Sequence, residues 1–198
     1  MMNQLKYIFV GFMFTFATAW IGLAIAPVTH FRTSATAAPP TEVEALVEQG
    51  RKEYLREGCV YCHSQQISAR TFRSDQARGW GRRRTVASDY LYDKTGVFGT
   101  MRTGPDLANI GSRNPSPQWH YLHLYDPQIT SKGSIMPPFR YLFDRRTAGG
   151  TSGPDAVQLG DGYEIVPTAD ARALVAYLIS LKHDVGMPPE AIELPAKQ

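Results

Sequence analysis

From residue 7 to residue 27 apolar positions follow one another without a charged break. From Tyr7 to Pro27 the run YIFVGFMFTFATAWIGLAIAP carries no charge over 21 residues. As a helix it rises about 31 Å, the depth of a bilayer core. After it the pattern changes to small and polar residues, VTHFRTSATAAPP, the composition of a linker. Helical periodicity then returns. Thr41-Glu42-Val43-Glu44 reads as a capping box, and Val43, Leu46, Val47, Gly50 and Tyr54 follow on one face until Gly58 stops the helix.

A second helix of the same kind closes the chain. Thr168 caps it after Pro167, Leu174, Tyr177, Leu178 and Leu181 form its apolar stripe, and Lys182 and His183 in its last turn suit the dipole. Gly50 lacks a side chain where the two helices can cross, with Tyr54 and Tyr177 as aromatic partners. Between them Ser116-Pro117 predicts an N-cap and a short helix through Trp119, Leu122 and His123, ending at Asp126-Pro127. Residues 144–167 are glycine-rich, with a turn at Asp161-Gly162 between extended stretches Val157–Leu159 and Tyr163–Val166. The expected fold is mostly α. Its units are a short N-terminus (1–6), a transmembrane anchor (7–27), a linker (28–40), a helical domain (41–186, with the excursion 144–167) and a tail (187–198).

Composition adds little to this and charge removes one class. A net charge of +3 in 198 residues is too mild for a nucleic-acid partner. One local cluster stands out, Arg78, Arg82, Arg83 and Arg84 around Trp80, with a solvated loop, a propionate clamp, anionic lipid or an acidic neighbour as its possible roles. The apolar run exceeds the usual core of a signal peptide, and only Lys6 precedes it. That favours an uncleaved anchor over cleavage at Ala35-Thr36-Ala37. Lys6 and Arg32 flank the run and leave its orientation undecided.

The chemistry sits in Cys59-Val60-Tyr61-Cys62-His63. Cys-x-x-Cys-His is the attachment sequence of a c-type haem: two thiols about one turn apart reach the vinyl groups, and the imidazole takes the iron. Zinc fails on count, since the chain has two cysteines. A redox dithiol wants a strand leading into the motif, whereas here a helix precedes it. Met136, held on an extended loop by Pro137 and Pro138, is the second axial ligand of choice, with Met101, Met187, His120 and His123 as alternatives.

With these residues in view the run from Thr41 to Leu181 resembles a class I cytochrome c domain. Gly50 and Tyr54, the haem motif, Gly104-Pro105-Asp106-Leu107, Met136-Pro137 and the closing Ala-Leu-Val-Ala-Tyr-Leu helix carry the likeness. It implies that the Pro105 carbonyl accepts the Nδ1–H of His63, which would fix the imidazole and strengthen it as a donor. A narrower resemblance, to the monohaem subunit II of cbb3-type haem-copper oxidases, rests on Arg56–Cys59, Cys62–Gln65, Arg102–Leu107, Trp119-His120, Asp126-Pro127 and Ser134–Pro137. By that resemblance Arg102 would lie near the haem propionates and Trp119 beside the haem, against the plainer roles of surface arginine and core aromatic.

The resemblance implies a single-pass protein of the bacterial inner membrane with its haem domain on the periplasmic side. Such a chain passes electrons from a periplasmic cytochrome or sister cytochrome c subunit to a catalytic haem-copper subunit and is not itself the oxygen-reducing catalyst. A nitric oxide reductase subunit, or a sensor or peroxidase with an open iron, are the competing expectations. The glycine-rich excursion and early stop depart from the subunit's usual longer helical tail.

Overall fold

The computed structural model describes residues 2–34, 45–90, 93, 95–149 and 153–185 of the chain. The capping box at Thr41–Glu44, much of the linker, Met187 and the tail lie outside the described residues. About half of what is described is helical, an apolar N-terminal helix followed by a helical domain.

Helix α1 (Met2–Trp20) passes through one π-helical turn (Ile21–Ile25) into α2 (Ala26–Ser34). The wide turn has a local cause. Pro27 has no N–H to give and its ring would crowd the carbonyl four residues back, while Ala26 N–H reaches five residues back to the Ile21 carbonyl. The segment Gln4–His30, with a mean hydropathy of 2.0 over its most apolar 18 residues, is long and apolar enough to cross a membrane, and none of it is buried against the rest of the protein.

The domain is organised by α3 (Ala45–Arg56) crossing α7 (Ala169–Ser180). The crossing is close because Gly50 presents no side chain: a Cβ there would stand 1.8 Å from the Ala173 carbonyl oxygen. Tyr54 and Tyr177 meet edge to face beside it, ring centroids 5.5 Å apart. Thr168 caps α7 by accepting from Ala171 N–H. Lys182 and His183 fall beyond the end of α7, a correction to the dipole expectation, because the chain turns at Leu181 and His183 N–H goes to the Ala108 carbonyl.

Three short helices, α4 (Ile110–Arg113), α5 (Pro117–Tyr125) and α6 (Pro127–Thr130), close one side. Ser116 caps α5, and Asp126 ends α5 and caps α6 by accepting from Gln128 N–H. The excursion folds as an antiparallel sheet in the order β1-β3-β2, from β1 (Phe143–Thr147), β2 (Val157–Gln158) and β3 (Tyr163–Pro167). Phe143 pairs with Pro167 and Val157 with Ile165. Sequence periodicity does not reveal β1, because FDRRT shows no alternation and four of its five residues are exposed. The core joins Tyr54, Leu107, Ile110, Leu124, Ile165, Leu174 and Leu178 beneath one large cavity.

Candidate functional site

Helix α3 stops where Gly58 takes a left-handed conformation, φ 73°, which suits glycine. A 3-10 turn (Cys59–Tyr61) follows, and both Cys62 N–H and His63 N–H fold back to the Cys59 carbonyl. This turn puts Cys59, Cys62 and His63 on the wall of the cavity, both thiols unpaired. Burial pushes the Cys59 thiol up to about 12, so the free thiol is protonated at neutral pH.

His63 is fixed from two sides. Its Nδ1 lies 2.7 Å from the Pro105 carbonyl oxygen. A carbonyl can only accept, so Nδ1 carries the hydrogen and Nε2 keeps the free lone pair. Behind the ring Gly104 lies flat: a Cβ there would come within 2.2 Å of His63 Cε1. Burial lowers the imidazole's basicity, partly offset by Pro105, and favours the neutral ligand form.

Met136 lines the same cavity from the Ser134–Pro137 loop, its N–H tied to Ser134 Oγ at 3.3 Å. Of the alternatives, Met101 is 56% exposed and does not line the cavity. His120 and His123 also line it, each with one ring nitrogen engaged: His120 Nε2 lies 2.8 Å from the Asn114 carbonyl and His123 Nδ1 2.5 Å from Thr130 Oγ1. Trp119 is on the wall, its ring stacked on His123 at 4.8 Å and 9°.

Arg102 is held by protein partners. Its guanidinium is not on the cavity wall. It donates to Ser64 Oγ at 2.8 Å, Asp75 Oδ1 at 2.6 Å and the Gln66 carbonyl at 2.5 Å, with Asp106 Oδ2 3.6 Å away. Two almost wholly buried carboxylates pull it inward. The cavity guanidinium belongs to Arg113, at the end of α4. Arg113 donates to the Asp106 carbonyl, its Nε is buried with no protein partner, and burial holds its pKa below the ordinary value. Such a group suits an anionic edge of a cofactor. Its sequence signal is a lone cation closing the otherwise uncharged stretch Leu107–Ser112. Trp80, also on the wall, had drawn notice only as part of the arginine cluster.

The donor set fits haem. The cavity of about 630 Å³ is of cofactor size and mainly apolar, with two thiols, an imidazole and a thioether among the groups that line it. Among the described residues no cluster of three or more His, Cys, Asp or Glu offers a site for a separate metal ion.

Comparison with known proteins agrees with this architecture. No curated protein matches the chain. A family model described as cytochrome c oxidase, mono-heme subunit/FixO, matches residues 3–152, from the N-terminal helix through the His63, Pro105 and Met136 positions. Strands β2 and β3 and helix α7 lie beyond that match. With well over half of its length covered, the chain belongs to the FixO family of cytochrome c oxidase mono-haem subunits.

Proposed function

We propose that this oxidase subunit is a membrane-anchored one-electron relay of the cbb3 type, in which Cys59 and Cys62 would hold haem through thioethers and His63 and Met136 would ligate its iron. The haem supplies a one-electron iron couple. The observation that carries the reading is the His63–Pro105 hydrogen bond, which commits Nε2 to the cavity that Met136 lines.

Each residue has a part in this. Gly104 and Pro105 hold the imidazole neutral and oriented, while Met136 would supply the second ligand that a sensor or peroxidase lacks. Trp119 and Leu124 exclude water from the wall, and Arg113 answers the charge of a propionate. Oxygen chemistry falls to a catalytic haem-copper partner, supplied with electrons by a further cytochrome c subunit or a periplasmic cytochrome. The span Gln4–His30 anchors the domain, residues 41–186, at the periplasmic face.

The test is twofold. The full chain should purify in a membrane complex with an oxygen-reducing subunit, and its ferrous form should be reoxidised by oxygen only while that partner is present. Met136→Ala should abolish the weak near-infrared methionine–iron band and lower the potential. An unchanged spectrum would remove Met136 from the coordination sphere, and co-purification with a nitric-oxide-reducing subunit would replace the oxidase relay.

A further inference from the structure

Six arginines and one carboxylate fall between Ala69 and Thr85, whereas the whole chain carries only +3, so the remainder of the protein is net negative. The structure sorts five of these arginines into two groups. Arg83 is buried, forked onto both carboxylate oxygens of Asp89 at 2.7 Å and donating to the His183 carbonyl at 2.6 Å. Arg82 reaches Asp184 at 3.3 Å. These two tie the loop to the end of the chain. Arg70, Arg73 and Arg78 instead point to solvent, and among the described residues no carboxylate forms an ion pair with Arg73 or Arg78.

The one acid in the segment does not offset them at the surface. Asp75 is 2% exposed and faces inward, accepting from Ser68 N–H at 2.8 Å and from Arg102. Its backbone carbonyl accepts Trp80 N–H, so the same residue pins the turn that bears the cations. Gly81 clamps the other end, because a Cβ there would meet Asn109 at 2.7 Å and Ile67 at 2.8 Å. At the tip Phe72 is 76% exposed with the Arg73 guanidinium over its ring at 5.5 Å.

Trp80 joins this face to the cavity. Its ring has the Arg78 guanidinium 5.1 Å from its centroid and forms part of the cavity wall. A pinned cationic turn with an apolar tip, one indole away from a cofactor cavity, combines long-range steering with a short contact route.

On the relay reading above, we propose that Arg70, Phe72, Arg73 and Arg78, backed by Trp80, form the docking face for an acidic electron-carrier protein. The carrier is oxidised by one electron and this subunit is reduced by one; no bond forms or breaks. Anionic lipid would satisfy the arginines alone, but the contact between the patch and the cavity wall has a use only for a redox partner.

The test uses full-length haem-loaded protein in detergent. A reduced acidic soluble cytochrome c is the probe and a basic one the control, mixed by stopped flow over a range of salt. Replacing Arg70, Arg73 and Arg78 together by Glu should lower the second-order rate constant with the acidic probe by about tenfold or more at low salt, and flatten its salt dependence. Surface-plasmon binding of the oxidised acidic probe should weaken in parallel. That measurement requires no electron transfer, so it still reads the docking face if the relay reading fails. Should the triple variant not fold, Arg73→Gln and Arg78→Gln, which neutralise exposed side chains, should each slow the same reaction severalfold. Rates and binding equal to wild type, or a loss confined to phosphatidylglycerol vesicles, would overturn the proposal.

Discussion

Arg102 Nη1 donates to Asp75 Oδ1 across 2.6 Å, in a site where Asp75 is 2% exposed. The pair joins the loop after the haem-binding motif to the segment that enters Gly104 and Pro105, and Ser64 and Asp106 complete it. Removing one partner leaves the other charge buried. Arg102→Ala should therefore cost about 3 kcal/mol of unfolding free energy, measured by denaturant titration, with a smaller effect on midpoint potential than a change at the cavity wall. A large potential shift with unchanged stability would return Arg102 to the cofactor.

Arg113 should behave in the opposite way. Its guanidinium lines the cavity, so Arg113→Gln removes a positive charge beside the redox centre and stabilises the oxidised state. The potential should drop by roughly 1 kcal/mol, on the order of 40 mV, in a spectroelectrochemical titration, with partial recovery in Arg113→Lys.

At the helix crossing Gly50→Ala should be severely disruptive, since its methyl would overlap the Ala173 carbonyl oxygen. A loss of about 2–3 kcal/mol or more is expected, read as a lower thermal midpoint of the haem-loaded protein. The isolated helix would gain from alanine, so a rise in stability would mean the helices separate more easily than their contact implies.

His123 gives a pH dependence with a defined sign. Burial, reinforced by His120 and His63, pushes its pKa down from 6.5 to about 4. Between those values the unfolded chain binds a proton that the folded domain does not. Stability therefore falls as pH drops from 6.5 towards 4 and levels off below. His123→Gln should flatten this part of the curve in chemical denaturation at a series of pH values.

The helical frame was legible because its signals are local or periodic. Gly50, Tyr54 and Tyr177 follow helix spacing, and Ser116 and Thr168 cap helices within three residues of themselves. The haem motif fixed the His63 side of the cavity for the same reason. What eluded the sequence depends on long-range pairing: Arg102 is claimed by Asp75, 27 positions away, and Arg83 by Asp89 and the His183 carbonyl. Strand β1 was missed because its partner β3 supplies the buried side chains, Ile165 and Glu164 among them.

The π-helical turn at Ile21–Ile25 has a geometric consequence for the anchor. Each residue of an α-helix advances about 100°, and a turn with one extra residue lags behind that count by roughly a quarter revolution. Side chains that form one line along residues 4–20 are therefore out of phase with those along residues 26–30. A neighbouring helix packed along the first stretch would meet a different flank in the second, so two neighbours can be held by one span without competing for the same stripe.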